Sequence, residues 1–373
     1  MKAFVLKDGP FIKSPVKAKH LSLYLFIALI PLVLFAWVKN GIYPYLHHNM
    51  TFQEMCLPMV LIISVVIVSV VTHCLIQKIK KEKMNPYQWL HIINTSLILS
   101  LLLPIQTPFY LVIIGSMMMA ILDSCEPLKK YVNPIMIGAL IILLGNMLFS
   151  QGNVYYNAYE QKQLADTAGQ VMITNGHLSG YQVLVQPYGR LLDFFIGSVP
   201  GALGVTCSCL FILSFLYLCY KKAIKWEITV TYVLTVFGIS AFIGLFSKFG
   251  YWYPIYQVMS GGLLFGAIFL ATDQMSTPTT TAGKVLYGLC LGILTIMLRY
   301  FVGCPESVLI SIFLMSFFSM KLDDIGSIAR FHFEKSIPIF ICIWICILAL
   351  GIFIGTNYQV EQGIDRYQKR ESI

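Results

Sequence analysis

Gly261-Gly262-Leu263-Leu264-Phe265-Gly266-Ala267-Ile268-Phe269-Leu270-Ala271-Thr272-Asp273-Gln274-Met275-Ser276-Thr277-Pro278 is the stretch on which the fold turns. Small and apolar residues run without a charge to Ala271, then stop at a threonine, a carboxylate, two hydroxyls and a proline. Joined to the apolar residues before it, this run closes a segment over 253–271, close to the ~20 residues a helix needs to cross a bilayer. Irregular backbone at membrane depth is tolerated only where it is buried in protein or lines a cavity. The polar turn after Ala271 therefore has two readings. It is a re-entrant hairpin gripping a ligand, or a capped cytoplasmic hairpin in which the Asp or a Thr satisfies helix N–H groups.

Working outward, the same apolar reading predicts segments over 21–38, 56–76, 90–103, 107–122, 132–149, 203–220, 227–247, 285–301, 306–320 and 338–356. Of 373 residues, 57% are hydrophobic and only 12% charged, with a mean hydropathy of +0.75. A soluble domain carries about 25% charged residues, so a soluble fold is excluded. Ten cysteines in a chain of this length, most inside apolar runs, do not make a disulfide scaffold. The net charge of +9 sits in short bridges between apolar segments, so nucleic acid is not an expected partner. The predicted class is an all-α polytopic membrane protein of about ten or eleven transmembrane helices. Segments 90–103, 107–122 and 306–320 are short for a crossing, as expected of helices that border a buried site. The 20 residues before the first segment are long for a signal peptide's n-region, and no small-residue cleavage site follows Val38, so that segment is read as an anchor.

Lysines and arginines decide orientation. Lys2, Lys7, Lys13, Lys17 and Lys19 precede the first segment, and Lys78, Lys80, Lys81 and Lys83 follow the second. Lys129, Lys130, Lys221, Lys222, Lys225, Lys284, Lys321, Arg330 and Lys335 fall in later alternate bridges. All of these share one side if the segments alternate, which predicts a cytoplasmic N-terminus in the inner (cytoplasmic) membrane. The expected organisation is a cytoplasmic tail over 1–20, a first membrane half over 21–150, an external loop over 151–202 and a second half over 203–320. Residues 321–373 then hold a cytoplasmic loop, an extra transmembrane helix and an external tail. Five segments on either side of the loop suggest duplication, two five-helix halves with one helix added.

Two further stretches carry more than hydrophobicity. Gly197-Ser198-Val199-Pro200-Gly201-Ala202-Leu203-Gly204 opens the sixth segment. Its glycines permit close backbone approach and its freed N–H groups favour an anion such as phosphate, with tight helix packing as the alternative. Arg299 and Glu306 flank Leu298-Arg299-Tyr300-Phe301-Val302-Gly303-Cys304-Pro305-Glu306, either as an ion pair closing a turn or with Arg299 offering donors to an anion. Cys207-x-Cys209, Cys342 with Cys346, and His47-His48 lack the further ligands that a metal or iron–sulfur site requires, so no metal site is expected.

Together these stretches resemble the RnfD/NqrB family, the membrane subunits of Rnf and Na⁺-translocating Nqr complexes. The strongest similarity runs from Gly262 through Phe265-Gly266-Ala267-Ile268-Phe269-Leu270-Ala271-Thr272-Asp273 to Thr277-Pro278, then Gly283-Lys284-Val285-Leu286-Tyr287-Gly288, Arg299, Gly303 and Pro305-Glu306. Gly197–Gly204 resembles the family's G-N-I-P-G-S-L-G element, Gly9-Pro10-Phe11-Ile12-Lys13-Ser14 its S-P-H-I-R lead, and Ala28-Leu29-Ile30-Pro31 its A-L-x-P. The resemblance covers about residues 9 to 320 and implies two five-helix halves, a covalent FMN on an external-loop threonine, and a second, non-covalent flavin. It also implies electron transfer between partner membrane and peripheral subunits, coupled to Na⁺ or H⁺ movement. The family's S-G-A-T attachment motif is absent; its approximate spacing from Gly197 lands near Leu164-Ala165-Asp166-Thr167, which makes Thr167 the positional candidate, with Thr174 a second hydroxyl in the same loop. Its G-x-G-x-N-x-F-N-P-A stretch is reduced to Tyr131-Val132-Asn133-Pro134, and Val205 stands where the family has Glu.

The expected cofactor contacts are thus Thr167 for attachment, Gly197, Pro200, Gly201 and Gly204 beside a flavin phosphate, and Thr272, Asp273 and Arg299 in the polar pocket. No catalytic residue is expected, since nothing suggests that the chain acts alone. The rival expectation, from another class, is a transporter for a small solute or cation without redox chemistry.

Overall fold

The computed structural model describes residues 18–48, 50–81, 86–129, 131–149, 155–157, 162–164, 173–174, 177–178, 180–247, 249–273, 275–302, 306–331, 345, 349–354 and 359–360. The lead at Gly9–Ser14, Thr167 and most of the 338–356 segment lie outside them.

The chain is all-α within the membrane. Helix α1 (Ala18–Trp37) continues through a π-helical turn, Val38–Ile42, into the short helix Tyr43–Leu46. Then come α2 (Phe52–Lys80), α3 (Pro86–Leu101), α4 (Phe109–Asp123) and α5 (Pro134–Phe149). After the loop follow α6 (Ser208–Tyr220), α7 (Trp226–Phe246) and α8, which is Trp252–Met259 bent by 59° into Leu263–Leu270. Helices α9 (Thr281–Met297, extended by a π turn Leu298–Val302), α10 (Ser307–Ser316) and α11 (Ser319–Phe331) complete the order. Among the described residues, His20–Leu46, Phe52–Lys80, Trp226–Phe246 and Thr281–Val302 are each long and apolar enough to span a membrane, and the bent α8 makes a fifth. Helices α4, α5, α6 and α10 are shorter apolar helices. The sixth helix starts at Ser208 rather than near 203, because Gly197–Cys207 forms a folded turn ahead of it.

Lipid exposure explains the composition. On α2, Ile63, Ile67, Val71, Leu75 and Ile79 recur at helical spacing and remain exposed, while Leu61, Ile62, Val65, Ser69, His73 and Gln77 face inward. In a bilayer the outer face must be apolar, so burial does not separate hydrophobic from polar residues as it does in water.

The packing repeats. In the first set α2 packs on α3 and α4, and α4 on α5; in the second α7 packs on α8 and α9, and α9 on α10. The third helix of each set is interrupted, at Leu102–Pro104 after α3 and at Ser260–Gly262 within α8. Contacts of α1 with α6 and of α5 with α10 join the sets. Small residues allow the closest approach: a Cβ at Gly288 would lie 1.9 Å from Thr231 Oγ1, and one at Gly292 2.5 Å from Thr235 Cβ, which seats α9 on α7. Short strands occur only outside the bundle among the described residues. Gln359–Val360 pairs with His177–Leu178, so the residues after the last apolar segment meet the 151–202 loop.

Candidate functional site

Among the described residues, two of the bundle's cavities bring the polar stretches together. The outer one, about 500 Å³, is lined by Val199, Pro200, Gly201, Thr206, Ser260, Gly261, Gly262 and Glu306 among others. It sits between the turn before α6 and the break in α8. The Gly197–Gly204 turn is tied from both directions. Gly197 has φ +97°, where a side chain is strained, and its N–H bonds Asp193 O at 2.7 Å. Leu203 N and Gly204 N donate to Leu103 O and Leu101 O at 2.9 and 3.0 Å, satisfying carbonyls at the end of α3. Four N–H groups of this stretch, those of Gly197, Ser198, Leu203 and Gly204, are engaged within the protein.

The turn's own carbonyls take donors from the π turn of α1. Lys39 Nζ reaches Val199 O at 2.6 Å and Thr206 Oγ1 at 2.7 Å, and Asn40 Nδ2 reaches Leu203 O at 3.1 Å. On the opposite wall Arg299, in the π turn after α9, is 2% exposed. It donates to Gln257 O and Oε1 at 2.8 Å each, and to Ser260 O at 3.1 Å. Gly261, at φ +65°, admits it: a Cβ there would lie 3.0 Å from Arg299 Nη2. Single π turns commonly mark functional places in helices; here they carry two buried cations that bond residues lining one cavity. Among the described residues neither cation forms an ion pair. The expected Arg299–Glu306 pair is not among the ion pairs of the described residues, although Glu306 lines the cavity.

The inner cavity, about 770 Å³, lies between α1, α3, the start of α5 and the end of α8. Thr272 and Asp273 line it with Tyr87, His91, Asn94, Thr95 and Asn133. The hairpin that carries Asp273 is closed by its own side chains, while the cap of α9 is Thr280, whose Oγ1 accepts from Gly283 N at 3.2 Å. Ser276 N and Oγ donate to Asp273 Oδ2 at 3.2 and 2.9 Å, and Thr272 Oγ1 donates to Ile268 O. Lys225 Nζ holds the far side through Thr277 O, Thr277 Oγ1 and Pro278 O at 3.0, 2.7 and 3.1 Å, and burial draws its pKa down to about 8. Asp323 of α11 accepts from the N–H and hydroxyl groups of both Thr279 and Thr280 at 2.7–3.0 Å.

Across the cavity Asn94 Nδ2 donates to Ser22 O at 2.7 Å, and Ile135 N donates to Asn133 Oδ1 at 3.0 Å. Asn94 Oδ1 and Asn133 Nδ2 are buried without a partner among the described residues. An orphaned buried polar atom costs about 1–3 kcal/mol, so an acceptor and a donor stand ready for a guest. The Tyr87 and His91 rings stack at 5.9 Å and 20° beside them.

The expected site residues are thus divided. Pro200 and Gly201 line the outer cavity, with Gly197 and Gly204 shaping its turn and Arg299 behind its wall. Thr272 and Asp273 line the inner one. Lys39, Asn40, His91 and Asn94 were not singled out from the sequence. Their signal was present, since polar residues inside or at the end of apolar segments are costly there; Lys39-Asn40 fell just past the 21–38 boundary.

The sequence profile of the NQR2, RnfD, RnfE family matches residues 5–331. The chain belongs to this family. It is 27% identical over 341 residues to a subunit of the proton-translocating ferredoxin:NAD(+) oxidoreductase complex of Clostridium ljungdahlii, covering 88% of this chain and 96% of the relative. It is 27% identical over 317 residues to a subunit of the Na(+)-translocating ferredoxin:NAD(+) oxidoreductase complex of Acetobacterium woodii, covering 83% and 90%. Similarity at 24% over 242 residues reaches a subunit of the Na(+)-translocating NADH-quinone reductase of Ectopseudomonas mendocina, covering 61% and 58%. The match extends a few residues beyond both ends of the 9–320 resemblance read from the motifs.

Proposed function

We propose that this chain is a subunit of an ion-translocating membrane electron-transport complex, moving electrons between partner subunits through bound flavin, with Na⁺ or H⁺ as the coupled ion. Family membership supports the assembly. The inner cavity supports the flavin: the unpartnered Asn94 Oδ1 and Asn133 Nδ2 are one acceptor and one donor, the complement of the donor and acceptor edge of an isoalloxazine's pyrimidine ring. This pairing carries the reading. Tyr87 and His91 line the cavity and offer ring surface. When bound, the flavin supplies the redox chemistry; the chain supplies orientation, a water-poor wall and charge.

The outer cavity suits the phosphate end of a second flavin, FMN. Pro200 and Gly201 allow the backbone to come near, while Lys39 and Arg299 set a positive field behind them. Thr167 is the proposed attachment hydroxyl for that FMN. The two helix sets are read as duplicated halves in the cytoplasmic membrane, N-terminus inside.

The experiment is flavin analysis of the intact complex, by acid extraction and by mass spectrometry of this subunit. The expected result is one extractable flavin, abolished by Asn94→Leu with Asn133→Leu, and an FMN mass increment abolished by Thr167→Ala. A colourless, gently isolated complex would overturn the flavin reading; solute uptake by that protein in liposomes would favour the transporter.

A further inference from the structure

Asp123 closes α4 and is 3% exposed, yet it is not alone. His91 Nε2 lies 3.2 Å and Lys129 Nζ 2.9 Å from its Oδ1. Asp123 and Lys129 together are neutral, and they hold an imidazole that is 32% exposed and lines the inner cavity. A carboxylate on one ring nitrogen fixes orientation and tautomer, leaving the other nitrogen to exchange a proton. The charged and titratable groups around this corner are Lys80 and His73 of α2, Tyr87 one turn earlier on α3, and Asp273 opposite. His73 Nδ1 meets Ser124 Oγ at 3.1 Å and Lys80 Nζ meets Ser124 O at 2.6 Å, so both sides of the last turn of α4 carry polar contacts toward the Lys80–Lys81 end of the bundle. Neither His91 nor Asp123 was expected from the sequence.

We propose that His91, oriented by Asp123, is the proton-exchanging residue of the inner cavity, taking up one proton when the redox guest there gains one electron and releasing it when that electron leaves. The proposal rests on the flavin reading above. The balance is simple. A reduced one-electron carrier of the partner subunits is oxidised and supplies the electron, a hydronium ion of the bulk solvent gives up one proton and becomes water, and one N–H bond forms on His91. Placing negative charge in a low-dielectric cavity is costly without a nearby compensating positive charge. Asp123 cannot provide it, because Lys129 already pairs with the carboxylate, whereas imidazole changes charge between about pH 5 and 8.

The test is a redox titration of the extractable flavin in the intact complex, at steps between about pH 5 and 8, for wild type and His91→Gln. Glutamine keeps an N–H for Asp123 but does not titrate. In the wild type the potential is expected to shift by the equivalent of tenfold per pH unit, about 59 mV for one electron. In His91→Gln, read on the flavin that remains bound, the slope is expected to fall to less than half of that. An unchanged slope with flavin bound overturns the assignment of the proton to His91 and leaves the flavin reading standing; absence of flavin from the wild type overturns both. Where the variant does not assemble, redox-difference infrared spectra of the wild-type complex with isotope-labelled histidine decide. Imidazole bands that move with reduction support the proposal, and their absence overturns it.

Discussion

Arg299 shows what one side chain can require of its surroundings. Its guanidinium sits inside the bundle with the carbonyls of Gln257 and Ser260, the Gln257 amide and the Ser307 hydroxyl as partners. Removing it takes a charged donor from the carbonyls of Gln257 and Ser260, so Arg299→Met is expected to destabilise the protein by about 3 kcal/mol, seen as a lowered melting temperature of the detergent-solubilised protein. Arg299→Lys keeps the charge but loses the planar fork, and should fall between Arg299→Met and the wild type. Lys39 belongs to the same class. Lys39→Met frees Val199 O, and the expected sign is increased hydrogen exchange at Gly201 and Ala202 with little change around the inner cavity. The motifs singled out Arg299, whereas Lys39 passed unnoticed because its partners, Val199 and Thr206, are some 160 residues away.

At the level of elements, the junction between the α8 hairpin and α9 depends on a single carboxylate. Burial opposes ionisation of Asp323, but the hydrogen bonds from Thr280 and Thr279 outweigh it and hold its pKa below the ordinary value. A depressed carboxylate pKa contributes stability above the unfolded value of about 3.9 and loses it as pH falls through the folded one. Exchange protection of the Thr279 and Thr280 amides should therefore be flat above about pH 5 and drop in acid, relative to base-corrected rates. Asp323→Asn should remove that pH dependence. The contact of α7 with α9 gives a second check. Gly288→Ala drives a Cβ toward Thr231 Oγ1, and overpacking of this kind costs about 1–3 kcal/mol. Adding Thr231→Ala should recover part of the loss, since Ile228 O, 3.0 Å from the same point, still crowds it.

On the scale of the molecule, orientation is the prediction most open to direct measurement. A cysteine at Gln182, in the loop before α6, should react with an impermeant maleimide added outside intact cells, and one at Lys222 only after the membrane is opened. The reverse pattern would invert the proposed topology, and with it the side from which protons reach His91. The strand pairing of Gln359–Val360 with His177–Leu178 already puts the loop and the residues after the last apolar segment together.

Composition and periodicity alone determined the class, since hydrocarbon accepts only helices or closed barrels and the apolar runs are helical in length. They also located most helices to within a few residues, and the Gly/Pro and Thr-Asp stretches where regular structure fails. Only the tertiary structure decided that these two stretches border different cavities, that Asp273 bonds Ser276 within its own hairpin, and that Lys39, Asn94, Asn133 and the His91–Asp123 pair join them. The reason is physical. A helix in lipid records locally whether a face is apolar, but the partner of a buried polar atom lies on another helix, and no local pattern specifies which one.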